Sequence, residues 1–140
     1  MLLRRAVCME ATRSNHAVYN INYHFVWCPR YRHSFLDHVA ETLESEFHAI
    51  IERNDYELRS LHISPDHVHV FLGAHPKHSP SAIVSRLKSV TARRSWSDHP
   101  EVMRSLYWGG GCWERSFYVG TAGEVSRETI EQYINRSEHV

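Results

Sequence analysis

Tyr56-Glu-Leu-Arg-Ser-Leu-His-Ile-Ser-Pro-Asp-His-Val-His-Val-Phe-Leu-Gly-Ala74 is the stretch whose reading decides the fold. Two runs with β character flank Pro65-Asp66, a turn-forming pair, so the pattern predicts strands over Tyr56 to Ser64 and His67 to Ala74, joined as an antiparallel hairpin. Strand side chains alternate between faces, so His67 and His69 point one way while Val68 and Val70 enter the opposite layer. Two imidazoles on one face form a metal platform. The same pair also arises by chance in a chain carrying 12 histidines, and its bland alternative is packing.

Working outward, Ala17 to Trp27 reads as strand one, with Tyr19, Ile21, Tyr23 and Phe25 on one face and Pro29 beyond its end. Val39, Leu43, Phe47, Ile50 and Ile51 then recur at helical spacing, with Asp37 a plausible N-cap and Asn54-Asp55 a stop. Ser79-Pro-Ser81 opens a second helix whose buried stripe is Ile83, Leu87 and Val90 and whose other face is basic, carrying Arg86, Lys88, Arg93 and Arg94 beside Ser89 and Thr91. Trp113 to Val119 reads as a fourth strand after Gly109-Gly-Gly111. A terminal helix follows, N-capped by Ser126, with Val125 and Ile130 as a hydrophobic staple, Glu128 in its first turn, and Ile130, Tyr133 and Ile134 on one face. The order β-α-β-β-α-β with an added C-terminal helix predicts an α+β, ferredoxin-like (RRM-like) sandwich built on an antiparallel sheet.

A chain of 140 residues buries enough surface to fold as one domain, expected over residues 17–140 with 1–16 as a loose arm, so a metal here would serve chemistry and not stability. With 42% hydrophobic and 23% charged residues and no bilayer-length apolar run, the sequence reads as a soluble protein without a secretory signal. Cys8, Cys28 and Cys112 are odd in number and lack C-x-x-C spacing, which argues against a disulfide framework or structural zinc and favours the reducing cytoplasm. Sixteen basic residues balance 16 acidic ones, so any nucleic-acid surface must be local.

Four blocks taken in order resemble one family: Tyr23-His-Phe-Val-Trp-Cys-Pro-Arg-Tyr-Arg32, Pro65-Asp-His-Val-His-Val-Phe-Leu72, Trp113-Glu-Arg-Ser-Phe-Tyr-Val-Gly-Thr-Ala-Gly123 and Ile130-Glu-Gln-Tyr-Ile134. The chain is similar, from about Ala17 to Ile134, to the single-tyrosine HUH transposases of the IS200-like insertion sequences. The resemblance implies that His67 and His69 hold Mg2+ or Mn2+ and that Tyr133 is the nucleophile. It also implies cleavage and rejoining of single-stranded DNA hairpins at element ends through a 5′-phosphotyrosine, by a homodimer. Strand one, aromatic and flat, is the edge where such copies are expected to join.

The sequence departs from the family at Ser137, where members usually place a glutamine one helical turn after the tyrosine to complete the metal site. The serine hydroxyl is shorter and a weaker ligand, and water is the other group that could fill that coordination place. Beside a phosphotransfer site, Lys88, Arg93 and Arg94 are candidate phosphate contacts, against the plain alternative of a solvated basic face. Tyr31, Trp96, Trp108 and Trp113 are candidate base-stacking rings or core, and His24 and His62 are expected to be structural. Two other functions compete: a two-histidine phosphoesterase using His62-Ile-Ser64 with His67-Val-His69, and a non-catalytic nucleic-acid-binding remnant of the same fold.

Overall fold

A computed structural model describes residues 11–13, 17–121 and 131–135. Its centre is a four-stranded antiparallel sheet made by β3 (Asn22–Trp27), β4 (Glu57–Ser64), β5 (His67–Gly73) and β6 (Tyr118–Gly120), in the order β4-β5-β3-β6. That order, with helices between the first and second and between the third and fourth of these strands, is the ferredoxin-like arrangement the sequence predicts. Ahead of it, β1 (Thr12–Arg13) and β2 (Val18–Tyr19) pair as a small antiparallel ladder, so residues 12 and 13 are tied down and not part of a loose arm.

One face of the sheet is apolar because the inward residues of β3 and β5, Phe25, Trp27, Val68, Val70 and Leu72, are β-branched, aromatic or aliphatic and fully excluded from water. Two helices cover that face. Helix α1 (Ala40–Arg53) contributes Leu43, Phe47, Ile50 and Ile51, and α2 (Pro80–Asp98) contributes Ile83, Val84 and Leu87 to the same core. The four α1 residues fall at the spacing that puts them on one stripe. Asn54 stops the helix as expected, its side-chain amide donating to the Ile50 carbonyl at 2.8 Å.

Several boundaries differ from the sequence reading for local reasons. The first strand breaks at Asn20-Ile21, and across the break the Asn22 side-chain amide donates to the Asn20 side-chain oxygen at 2.7 Å. Asp37 is not an N-cap but lies in a short 3-10 turn, Leu36–Val39, that leads into α1. Ser79 does cap α2, accepting from the Ala82 amide at 3.1 Å, with Pro80 in the first turn. Val90 is only partly buried, and the α2 stripe continues instead through Thr91 and Ser95. A third helix, α3 (Pro100–Leu106), follows directly and has no counterpart in the sequence reading.

The expected strand from Trp113 is shortened to Tyr118–Gly120, with Trp113 making only an isolated bridge to Pro29. Gly109, Gly110 and Gly111 precede it with φ of 74°, 94° and 73°, the left-handed region that favours glycine. The expectation of a free edge on the first strand fails: β3 is hydrogen-bonded to β5 on one side and β6 on the other, which leaves β4 and β6 as the sheet's edges. Ser126, Val125, Glu128, Ile130 and Ser137 lie outside the described residues. Residues 131–135 are helical, as the terminal stripe predicts.

Candidate active site

The sheet face opposite the helices carries the histidines. Along β5, His67, His69 and Phe71 alternate with the buried Val68, Val70 and Leu72, so the two-residue spacing does place both imidazoles on one side. The tight turn at Pro65-Asp66 sets the hairpin register, which pairs Ser64 with His67 and His62 with His69. On the other flank β3 pairs Val26 with His69 and His24 with Phe71. His24 and His62, expected to be structural, therefore border the predicted pair.

These contacts are close. His24 Nδ1 lies 3.0 Å from His69 Nε2, and the His24 ring stacks on Phe71 with centroids 3.9 Å apart. The His62 and His69 ring centroids are 6.0 Å apart. Burial, reinforced by the neighbouring His24, His62 and His67, pushes the His69 pKa down to about 4, so this imidazole is neutral at physiological pH and keeps a lone pair to offer. His67 is oriented from outside: its Nδ1 sits 3.0 Å from Asp66 Oδ1, and Asp66 is held in turn by Arg32 Nε at 3.1 Å. Burial raises the Asp66 carboxyl pKa, but the His67 and Arg32 hydrogen bonds outweigh it and hold the group ionised.

This donor set fits a divalent ion in part. An Asp66 carboxylate on Nδ1 is the kind of outer partner that metal-binding histidines use, and in such an arrangement Nε2 would be the atom to face an ion. At His69 a metal bond through Nε2 would replace the contact to His24. Among the described residues no three His, Cys, Asp or Glu side chains converge on one ion position, so further ligands must come from substrate, solvent or residues outside them.

Tyr133 joins this face. With Ile134 it forms a small second cluster on Val26 and Cys28, flanked by Tyr118, and is 8% exposed. Val26 is the direct cross-strand neighbour of His69, so the tyrosine packs one strand away from the histidine pair. Its hydroxyl lies 3.1 Å from Ser116 Oγ. Sequence spacing alone does not join residue 133 to residue 26.

The basic residues of α2 are placed differently from the expectation. They belong to the helix layer, across the sheet from His67 and His69, and not beside them. Lys88 Nζ donates to three backbone carbonyls, those of Glu114 at 2.6 Å, Arg115 at 3.3 Å and Ser116 at 3.1 Å. Burial lowers its pKa to about 8. Arg94 is paired with Asp98 at 2.8 Å and with Glu46 at 3.7 Å. Arg93 lines an open cleft with Arg53, Arg86 and Ser89. Among the aromatic candidates, Trp113 is buried and donates to Lys88 O and Thr91 Oγ1, and Trp96 donates to Gly111 O, whereas Tyr31 and Trp108 are 71% and 97% exposed.

Comparison with known proteins bears on this geometry. Residues 17–137 match the family described as "Transposase IS200 like". The ISDra2 transposase TnpA of Deinococcus radiodurans is 35% identical over 132 residues, covering 94% of this chain and 93% of that one. The transposase for insertion sequence element IS200 of Salmonella typhimurium is 26% identical over 120 residues, 85% of this chain and 78% of its own length. A crystal structure of a candidate transposase from D. radiodurans superposes with TM-score 0.80 at 38% identity, over 90% of this chain and 97% of that one. A REP-associated tyrosine transposase solved with a REP hairpin shares the fold, with TM-score 0.55 at 15% identity over 91% and 74% of the two chains.

Proposed function

Since this chain belongs to the IS200-like transposase family, we propose that it cleaves and rejoins single-stranded DNA at insertion-sequence ends through a covalent bond to Tyr133. The observation that carries the reading is the packing of Tyr133 on Val26, the cross-strand partner of His69, which brings a hydroxyl nucleophile and an imidazole pair to one sheet face. That the REP-associated relative was solved with a hairpin bound supports a DNA hairpin as the ligand here.

In the proposed reaction the Tyr133 oxygen attacks the scissile phosphorus as its phenolic proton departs. A P–O bond to tyrosine forms, the P–O3′ bond breaks, and the released 3′ oxygen takes up a proton. The phosphodiester energy is kept in the phosphotyrosine, so a 3′-hydroxyl from another DNA end reverses the step and joins strands without ATP. His67 and His69, with Ser137, would hold Mg2+ or Mn2+, which when bound polarises the phosphate oxygen and offsets developing charge. Asp66 and Arg32 fix the His67 ring, and the burial of His69 keeps it unprotonated. The tyrosine ring packs in one apolar cluster with Val26, Cys28 and Ile134.

A second copy is the expected protein partner, and it would join through β4 or β6, because both sides of β3 are already paired. The reducing cytoplasm is the expected setting, and Cys28 and Cys112 are both buried. No helix among the described residues is long and apolar enough to cross a membrane.

The test is a labelled adduct. Wild type incubated with end-labelled single-stranded hairpin DNA and Mn2+ is expected to give a protein–DNA species stable to denaturant, while Tyr133→Phe binds the same DNA and gives none. Adduct in the phenylalanine variant removes Tyr133 as nucleophile. Binding without adduct in wild type favours the non-catalytic remnant.

A further inference from the structure

Between β3 and the strand beside it, the register slips. Val26 pairs with Tyr118 and Pro29 bridges Trp113, so three steps along one strand face five along the other, and the excess bulges out as residues 114–117. A bulge leaves carbonyls without ladder partners, and here the Lys88 ammonium fills the gap, donating to those of Glu114, Arg115 and Ser116. The segment is pinned a second time where the Glu114 amide donates to the Cys28 carbonyl at 2.9 Å. Trp113, at the bulge's start, donates from its indole to the Lys88 carbonyl, so helix and bulge are tied in both directions. The bulge turns the Ser116 side chain onto the sheet's open face, 3.1 Å from the Tyr133 hydroxyl.

We propose that Ser116 is a positioning residue for Tyr133, and that Lys88 acts through it by holding the bulge that aims the serine. The proposal rests on Tyr133 being the nucleophile. A phenol free to turn about its χ1 and χ2 angles spends little time aligned with a phosphorus atom, and a hydrogen bond from a fixed hydroxyl narrows that search. Lys88 is thereby assigned a role other than the phosphate contact that a basic helix face suggests.

Ser116→Ala is expected to slow adduct formation about 3- to 10-fold, the value of one neutral hydrogen bond expressed as a rate, with hairpin affinity unchanged. Ser116→Thr keeps the hydroxyl and should recover most of the rate. Lys88→Met should slow the reaction to a similar degree, and the double variant Lys88→Met/Ser116→Ala should be no slower than the worse single one, since both act along one path. A lysine bound to phosphate would instead lose affinity and flatten the salt dependence of binding.

A readout independent of activity is the Cζ resonance of Tyr133 in protein labelled with 13C-tyrosine, assigned by its loss in Tyr133→Phe. It should move in Ser116→Ala and return in Ser116→Thr. An adduct rate in Ser116→Ala equal to or above that of wild type overturns the proposal while leaving the nucleophile in place. Absence of adduct in wild type defeats the nucleophile reading instead, and the resonance still reports whether Ser116 holds the tyrosine. A Cζ signal indifferent to Ser116 overturns the contact itself.

Discussion

The two faces of the central sheet are built from the same strands and obey opposite rules. Toward the helices, Phe25, Trp27, Val68, Val70 and Leu72 are wholly buried in one cluster of aliphatic and aromatic side chains. On the other side, one residue along each strand, stand His24, His67 and His69, where burial leaves imidazoles partnered with each other and with a carboxylate. The first face gains from every apolar atom removed from water. The second is costly to assemble, since polar groups there lose solvent and must be repaid in hydrogen bonds. Strand alternation lets one hairpin meet both demands, so a substitution at residue 72 and one at residue 67 should fail in different ways.

The largest contrast is therefore between His67→Ala and Leu72→Ala. His67→Ala removes one of two imidazoles from the proposed platform and should abolish cleavage with the circular dichroism spectrum and melting temperature close to those of wild type. Leu72→Ala leaves a cavity in the core and should cost about 2–5 kcal/mol of stability by denaturant titration, with adduct still formed at temperatures where the protein is folded. Retained cleavage in the histidine variant would remove the metal reading of this face. Equal loss of stability in the two variants would break the distinction between the faces.

That distinction was largely legible in the sequence, because alternation is a local property of β5 and the Pro65-Asp66 turn fixes the hairpin register. From the turn alone, Ser64 opposite His67 implies His62 opposite His69, so the third histidine could have been found. His24 could not be found this way. Its place beside His69 depends on β3 lying next to β5, a long-range pairing that leaves no local signature. The mistaken free edge on the first strand has the same origin, for an aromatic strand reads alike at the centre of a sheet or at its rim. The carbonyl contacts of Lys88 are not legible in the sequence for a different reason: charge on a helix says nothing of backbone carbonyls in reach, and the bulge that supplies three of them comes 26 to 28 residues later.

A smaller effect sharpens the polar face. If Ser137 is a weak third ligand where the family resemblance implies a glutamine, Ser137→Gln adds an amide oxygen four residues after Tyr133 and should lower the Mn2+ concentration needed for half-maximal adduct formation about tenfold. Titration of Mn2+ in both proteins, with the rate at saturating metal measured alongside, separates tighter binding from faster chemistry. An unchanged midpoint would show that position 137 lies outside the coordination shell.

The smallest expected effect tests whether the helix layer touches DNA at all. Lys88 and Arg94 already have partners in the folded chain, which leaves Arg93, exposed and lining the cleft with Arg53 and Arg86, as the α2 cation from the sequence set best placed to meet a phosphate. A single phosphate contact contributes through counterion release, so Arg93→Gln should weaken hairpin binding only about 2- to 5-fold at low salt and reduce the slope of log affinity against log salt by about one. Adduct chemistry at saturating DNA should not change, because a sheet and a helix layer separate Arg93 from the histidines. An unaltered slope would mean that the helix face is merely solvated and that DNA lies wholly on the other side. A reduced slope would mean that the hairpin wraps from the histidine face around an edge of the sheet, and since β5 and β3 are interior strands, that edge must be β4 or β6.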